Sequence, residues 1–188
     1  LGTGEFTIEF FFNKSGEPFS FGWFICNGDV DDSPDSVGYG IGYIPFSNNF
    51  QITLSNDGKG ISYTANLDTE IGSPGTAGFW DGNWHHMALT RDASNDVRFF
   101  LDGVGKLIVN SGIDLWAPPS GKLAFPGNSE GAGDVNLAVE GNYDSLRITK
   151  GVCRYDADFT PPSADFAESG PGGIGSTGSP SALTIILT

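Results

Sequence analysis

A chain of 188 residues is long enough for one generous domain, and its apolar residues, 38% of the total, fall in short patterned runs, which excludes a disordered polymer. A formal charge of −14, from 9 basic and 23 acidic residues, excludes nucleic-acid binding, because so few cations cannot neutralise a run of phosphates. It also disfavours adhesion to anionic lipid, and no apolar run is long enough for membrane insertion.

Glycine (28 residues) and phenylalanine (15) suit tight turns between half-buried strands, so the composition reads as all-β. In chain order, Phe6–Phe12 is dense enough for a central strand. Phe19, Phe21, Trp23 and Ile25 alternate with smaller residues at the period of two that buries one strand face. Val37–Ile44 interleaves Gly with Tyr and Ile, which predicts a strand approached closely by a ring or another backbone. Phe50–Leu54 and Ile61–Ala65 flank Asn56–Gly60, a hairpin signal. Trp84–Arg91 and Val97–Leu101 are strands joined by the polar loop Asp92–Asp96, and Asp102–Gly103 turns the chain into a strand at Lys106–Val109. Further strands are predicted at Lys122–Phe125, Val135–Val139 and Tyr143–Thr149, with at most one helical turn at Leu115–Pro119.

These elements fill residues 1–168. Residues 169–181 are rich in Gly, Ser and Pro, the make-up of a flexible linker, and 182–188 form a strand-like tail. A lone apolar strand cannot bury itself, so Leu183, Ile185 and Leu187 are expected to pair with the parent sheet or with a neighbour's edge. Cys26 and Cys153 allow one disulfide or two free, partly buried thiols; free thiols are favoured, since disulfide-stapled secreted domains carry more cysteines. No signal peptide stands at Leu1, and the chain reads as a fragment or as a mature piece of something longer.

Two stretches carry a family signature. Asp81–Arg91 (DGNWHHMALTR) followed by Val97–Gly103 (VRFFLDG) resembles the "WHH-apolar-A-apolar-TR … LYVDG" core of laminin-G-like, concanavalin A-type domains. Tyr143–Tyr155 (YDSLRITKGVCRY) and Phe159–Pro162 (FTPP) resemble the ending common in such domains of tailed-phage virion proteins, and Phe6–Phe10 resembles the family's opening strand. The family usually has one more strand before that opening; either it lies in a stretch outside this sequence, or the Leu183–Leu187 tail or a neighbour's strand fills the place. The resemblance implies an antiparallel two-sheet jelly-roll sandwich of the concanavalin A-like lectin/glucanase type. It further implies a non-enzymatic virion protein, a capsid decoration, fibre or appendage domain. Such a protein would meet other virion proteins or copies of itself, with a host-surface glycan as a further partner. The alternative is a carbohydrate-binding or adhesion domain at an extracellular location.

Candidate sites follow from residue chemistry. No cofactor is required, but hard oxygen ligands cluster at Asp29, Asp31 and Asp32, so calcium is a candidate there. Asp144 resembles an aspartate that holds structural calcium in some sandwiches of this class. Trp80, Trp116 and Tyr39 are candidate glycan or partner contacts, since exposed rings stack on sugar faces; the alternative place for them is the core. His85 and His86 are adjacent, so on a strand they point to opposite faces and cannot share a metal; one is expected near Trp84 and the other hydrogen-bonded at the surface. The glucanase relatives' carboxylate patterns, E-x-D-x-x-E or E-x-D-x-E, are missing. Glu5 and Glu9 share a strand face without a third partner, and no catalytic residues are assigned.

Overall fold

The computed structural model describes residues 1–28, 37–55, 61–72, 75–115, 123–127, 138–163, 166 and 173–174. The chain divides into two compact units. One comprises residues 4–15, 71–112 and 141–188, and the other 1–3, 16–70 and 113–140.

The first unit holds an antiparallel sheet of β1 (Phe6–Ser15), β6 (Asp81–Arg91), β7 (Asp96–Leu101), β8 (Val104–Asn110), β10 (Asn142–Lys150) and β11 (Gly173–Ile174), in the order β11-β10-β1-β6-β7-β8. β1 lies between β10 and β6, pairing Ile8 with Ile148 on one side and with Leu89 on the other. Alternation sends Phe6, Ile8, Phe10 and Phe12 to one face and Thr7 and Glu9 to the other. All six side chains are buried.

What covers the Thr7 and Glu9 face is the chain after β10. The Thr7 hydroxyl donates to the Val152 carbonyl (3.1 Å) and accepts from the Arg154 amide (2.9 Å). The Thr90 hydroxyl donates to the Tyr155 carbonyl (2.9 Å), and the Phe159 amide to the Gly103 carbonyl (3.0 Å). Residues 151–163, with Phe166, therefore form a strap over the sheet. Gly103 is what admits it: φ is +80°, and a Cβ there would collide with the Phe159 carbonyl.

The second unit holds β2 (Gly22–Gly28), β3 (Val37–Ile44), β4 (Asn49–Leu54), β5 (Ile61–Asn66) and β9 (Leu123–Ala124), in the order β5-β4-β3-β2-β9. The glycines of β3 do what their alternation predicts. A Cβ on Gly40 would stand 2.7 Å from the Trp23 ring, and one on Gly42 would stand 3.0 Å from the Phe21 ring. Phe21 and Trp23 meet edge to face at 5.1 Å.

Two features differ from expectation. A π-helical turn (Leu67–Ile71) and a five-residue helix α1 (Gly75–Phe79) follow β5, both too short to carry a periodic signal. Of the strand expected at Val135–Val139, residues 135–137 lie outside the described residues, and Ala138 makes an isolated parallel bridge to Trp23. Within the stretch read as linker, β11 pairs Ile148 with Ile174 and Thr149 with Gly173, because the outer edge of β10 offers unpaired backbone groups. The tail strand, with Leu183, Ile185 and Leu187, lies outside the described residues. No helix among the described residues is long and apolar enough to cross a membrane.

Candidate functional site

Two of the three rings singled out from the sequence are not available to a ligand. Trp80 is 6% exposed, edge-on to Phe12 (5.8 Å) and Phe79 (4.5 Å), and Tyr39 is 6% exposed on β3. Burial also pushes the Tyr39 phenol far above its ordinary pKa. Each ring buries apolar area that solvent exposure would waste, so both belong to the core. Trp116, like Asp29, Asp31 and Asp32, lies outside the described residues.

Asp144 sits where the β1–β10 register shifts between Glu9 and Phe11, next to Ser145, whose φ of 53° marks the bulge. The Ser145 hydroxyl donates to Asp144 Oδ1 (3.1 Å). Calcium takes six to eight oxygens. Among the described residues no three His, Cys, Asp or Glu side chains gather as a metal site, and backbone carbonyls would have to complete any calcium shell around Asp144. Cys26 and Cys153 are free thiols.

The two histidines do face opposite ways, but neither reaches the surface. His86 lies under the strap, where Glu9 gathers four donors' worth of charge and hydrogen bonding. Glu9 Oε2 accepts from His86 Nε2 (3.1 Å) and from the Tyr155 hydroxyl (2.9 Å), and Oε1 accepts from Arg147 Nε and a terminal guanidinium nitrogen (2.7 Å each). Burial would raise the Glu9 pKa; the bond from His86, the Arg147 charge and the Tyr155 bond together more than offset it and hold the carboxyl below its usual range. An ionised Glu9 only accepts, so His86 carries its proton on Nε2, leaving Nδ1 buried without a partner. Phe166 closes the cluster, 4.2 Å over the Arg147 guanidinium and stacked on Phe11 at 5.5 Å. Sequence alternation placed Glu9 on this face but carried no sign of the strap that seals it.

His85, on the other face of β6, packs against Phe79 (5.2 Å) and not against Trp84. Its Nδ1 meets Asp102 Oδ2 at 2.7 Å and its Nε2 meets Asp81 Oδ1 at 3.3 Å. Burial lowers its pKa, but hydrogen bonding to Asp102 and Asp81 and the charges of both raise it above the ordinary value. Asp102 also accepts from the His86 amide (2.8 Å), which fixes the turn after β7. These groups brace the fold, with the His85 ring held between the Asp81 and Asp102 carboxylates.

Exposure singles out other residues. In the second unit Phe19 is 90% exposed and Phe46 81% exposed, on the loops before β2 and between β3 and β4. Glu17 ties the loops together: its Oε1 accepts from the Tyr43 hydroxyl (2.9 Å) and from the Phe46 amide (3.2 Å). Phe46 has φ of 63°, a left-handed conformation that costs a bulky residue about 1–2 kcal/mol. Beyond it, Asn48 donates to Asp68 (2.7 Å) and accepts from the Leu67 amide (2.7 Å), so the turn is pinned on both flanks. An aromatic held outward by a fixed turn, in a strained backbone and without packing in return, is a candidate binding surface. The period of two had suggested Phe19 as a strand residue, and nothing in the sequence marked Phe46.

Comparison with known proteins agrees with this architecture. A family model described as the concanavalin A-like lectin/glucanases superfamily matches residues 1–154. No curated protein matches the sequence. Among solved structures, the CBM40 domain of the Ruminococcus gnavus IT-sialidase, bound to α2,3-sialyllactose, superposes with a TM-score of 0.58 at 14% identity, over 81% of this chain and 78% of that one. Domains LG4-5 of the mouse laminin α1 chain give 0.54 at 13% identity, over 77% of this chain and 35% of that one. A mutant of the NanB sialidase of Streptococcus pneumoniae gives 0.54 at 10% identity, over 81% and 23%. This chain thus spans about a third of the laminin structure and under a quarter of the sialidase. At such identities the likeness is one of fold, a jelly-roll sandwich of two antiparallel sheets.

Proposed function

The chain belongs to the concanavalin A-like lectin/glucanase superfamily, and from that premise we propose that it is a non-catalytic carbohydrate-binding and adhesion domain whose ligand meets Phe19 and Phe46. The carrying observation is the pair of exposed rings on loops braced by one carboxylate. Sugar rings present C–H faces that stack on aromatics, and a pre-fixed aromatic loses little conformational freedom on binding. A domain of this kind working outside the cell fits the reading, as does the sialyllactose held by the CBM40 neighbour. A non-catalytic role is supported by Glu9, the acid a glycosidase reading would recruit, being sealed in an ion pair.

The test is a glycan array probed with the native chain and with Phe19→Ala and Phe46→Ala. Binding by the native chain that drops at least tenfold in each variant, with unchanged circular dichroism, supports the reading; binding that ignores both substitutions sinks it.

A second reading, an appendage domain of a tailed-phage virion, is favoured by the Tyr143–Pro162 ending, whose residues build the strap. On that reading the rim would meet the host glycan, and residues 182–188 would pair with a copy of this chain or with another virion protein. Removing 182–188 would then lower the oligomeric state measured by light scattering, and an unchanged state would count against it.

A further inference from the structure

We propose that the Phe19–Phe46 rim selects amine-bearing saccharides, with protonated glucosamine units as the type, and rejects sialic acid and other anionic sugars. This rests on the carbohydrate-binding reading above and adds the ligand's chemical class. The first observation is local. Three carboxylates stand at the Phe46 turn: Glu17 on the Phe46 amide, Asp68 on Asn48, and Glu70 on the Asn66 amide (2.7 Å). Asp68 and Glu70 are exposed, and Glu17 is half-buried. The second is the distribution of charge in the sequence. The segments forming this unit contain only two basic residues, Lys59 and Lys122, against twelve Asp and Glu, a formal −10 of the whole chain's −14. They contain no arginine.

Recognition of a sugar carboxylate draws on arginine, whose planar fork gives two charge-assisted hydrogen bonds. Here an incoming carboxylate would find acids instead. An ammonium group gains twice: from the carboxylates and from the electron-rich faces of Phe19 and Phe46. Chain geometry keeps the two Cα atoms within about 17 Å, since Phe19 follows Glu17 by two residues and Phe46 is bonded to Glu17. An oligosaccharide can therefore engage both rings.

The experiment is isothermal titration of the full chain at pH 5.5 with glucosamine hexamer, N-acetylglucosamine hexamer and α2,3-sialyllactose, in 20 mM and in 300 mM NaCl. The expected result is binding of the glucosamine hexamer at least tenfold tighter than its N-acetylated counterpart at low salt. That advantage should shrink at high salt and in Glu17→Gln and Asp68→Asn, with no binding of sialyllactose. Equal or tighter binding of the N-acetylated hexamer or of sialyllactose, lost in Phe46→Ala, overturns the charge selection and leaves the carbohydrate-binding reading standing. Glucosamine binding that survives Phe19→Ala and Phe46→Ala overturns the assignment to this rim. If none of the three binds, and a glycan array is also blank, the carbohydrate-binding reading fails and this inference with it.

Discussion

At Glu9 a single carboxylate satisfies His86, Arg147 and Tyr155 away from water, so its replacement leaves a guanidinium without its counter-charge. Glu9→Gln is expected to destabilise the fold by about 3–5 kcal/mol in urea unfolding, the range for breaking one side of a buried pair. Because the folded-state pKa lies below the unfolded value of 4.5, the stability Glu9 contributes is present above that value and is lost as pH falls through the lower, folded one. His85 runs the other way. Its folded pKa is raised above 6.5, so its contribution is complete below 6.5 and fades as pH rises through the folded value. Melting temperature should therefore decline as pH rises above 6.5, and Asp102→Asn should flatten that decline. Phe46 carries a third expectation at this scale. Phe46→Gly removes a left-handed strain and no packing, so it should stabilise the fold by about 1 kcal/mol, about 2–4 °C in melting temperature, while weakening ligand binding.

Among the elements, the strap depends on one glycine. Gly103→Ala combines a positive φ with a collision against the Phe159 carbonyl, and should cost about 2 kcal/mol or more, with faster amide exchange across 151–159 than in the parent. How much of this was legible beforehand divides by the range of the interaction. Strands β1, β6, β7 and β10 follow from alternation and from dense apolar runs, because burial of one face is written every second residue. The close approach at Gly40 and Gly42 was legible too, since only a ring or a backbone explains glycine on alternate strand positions. The site was less so. Trp80 reads as a loose aromatic in one dimension, yet Phe12, far off in sequence, covers it. Phe46 is marked only by exposure and by φ, neither of which a residue type announces. The histidine pair was read correctly in its geometry and wrongly in its depth, because the rings that bury His86, Tyr155, Phe159 and Phe166, come from the strap far along the chain.

Over the whole molecule, charge is spread unevenly: the segments of one unit carry −10, those of the other −4. Self-repulsion of that size is screened by salt, so raising NaCl from 10 to 150 mM should raise the melting temperature, in contrast to a fold held by surface ion pairs. The strap has a consequence in time as well as in space. Arg147 and Tyr155 lie 138 and 146 residues beyond Glu9. At a translation rate of about 5–20 residues per second, roughly 7–28 s separate the emergence of that glutamate from the ribosome and the arrival of its arginine. Once β6 has emerged β1 can pair with it, but the acid of Glu9 must stay hydrated until the arginine arrives. The unit thus remains open on one side during synthesis, and closes only when the polypeptide's late residues return to an early strand.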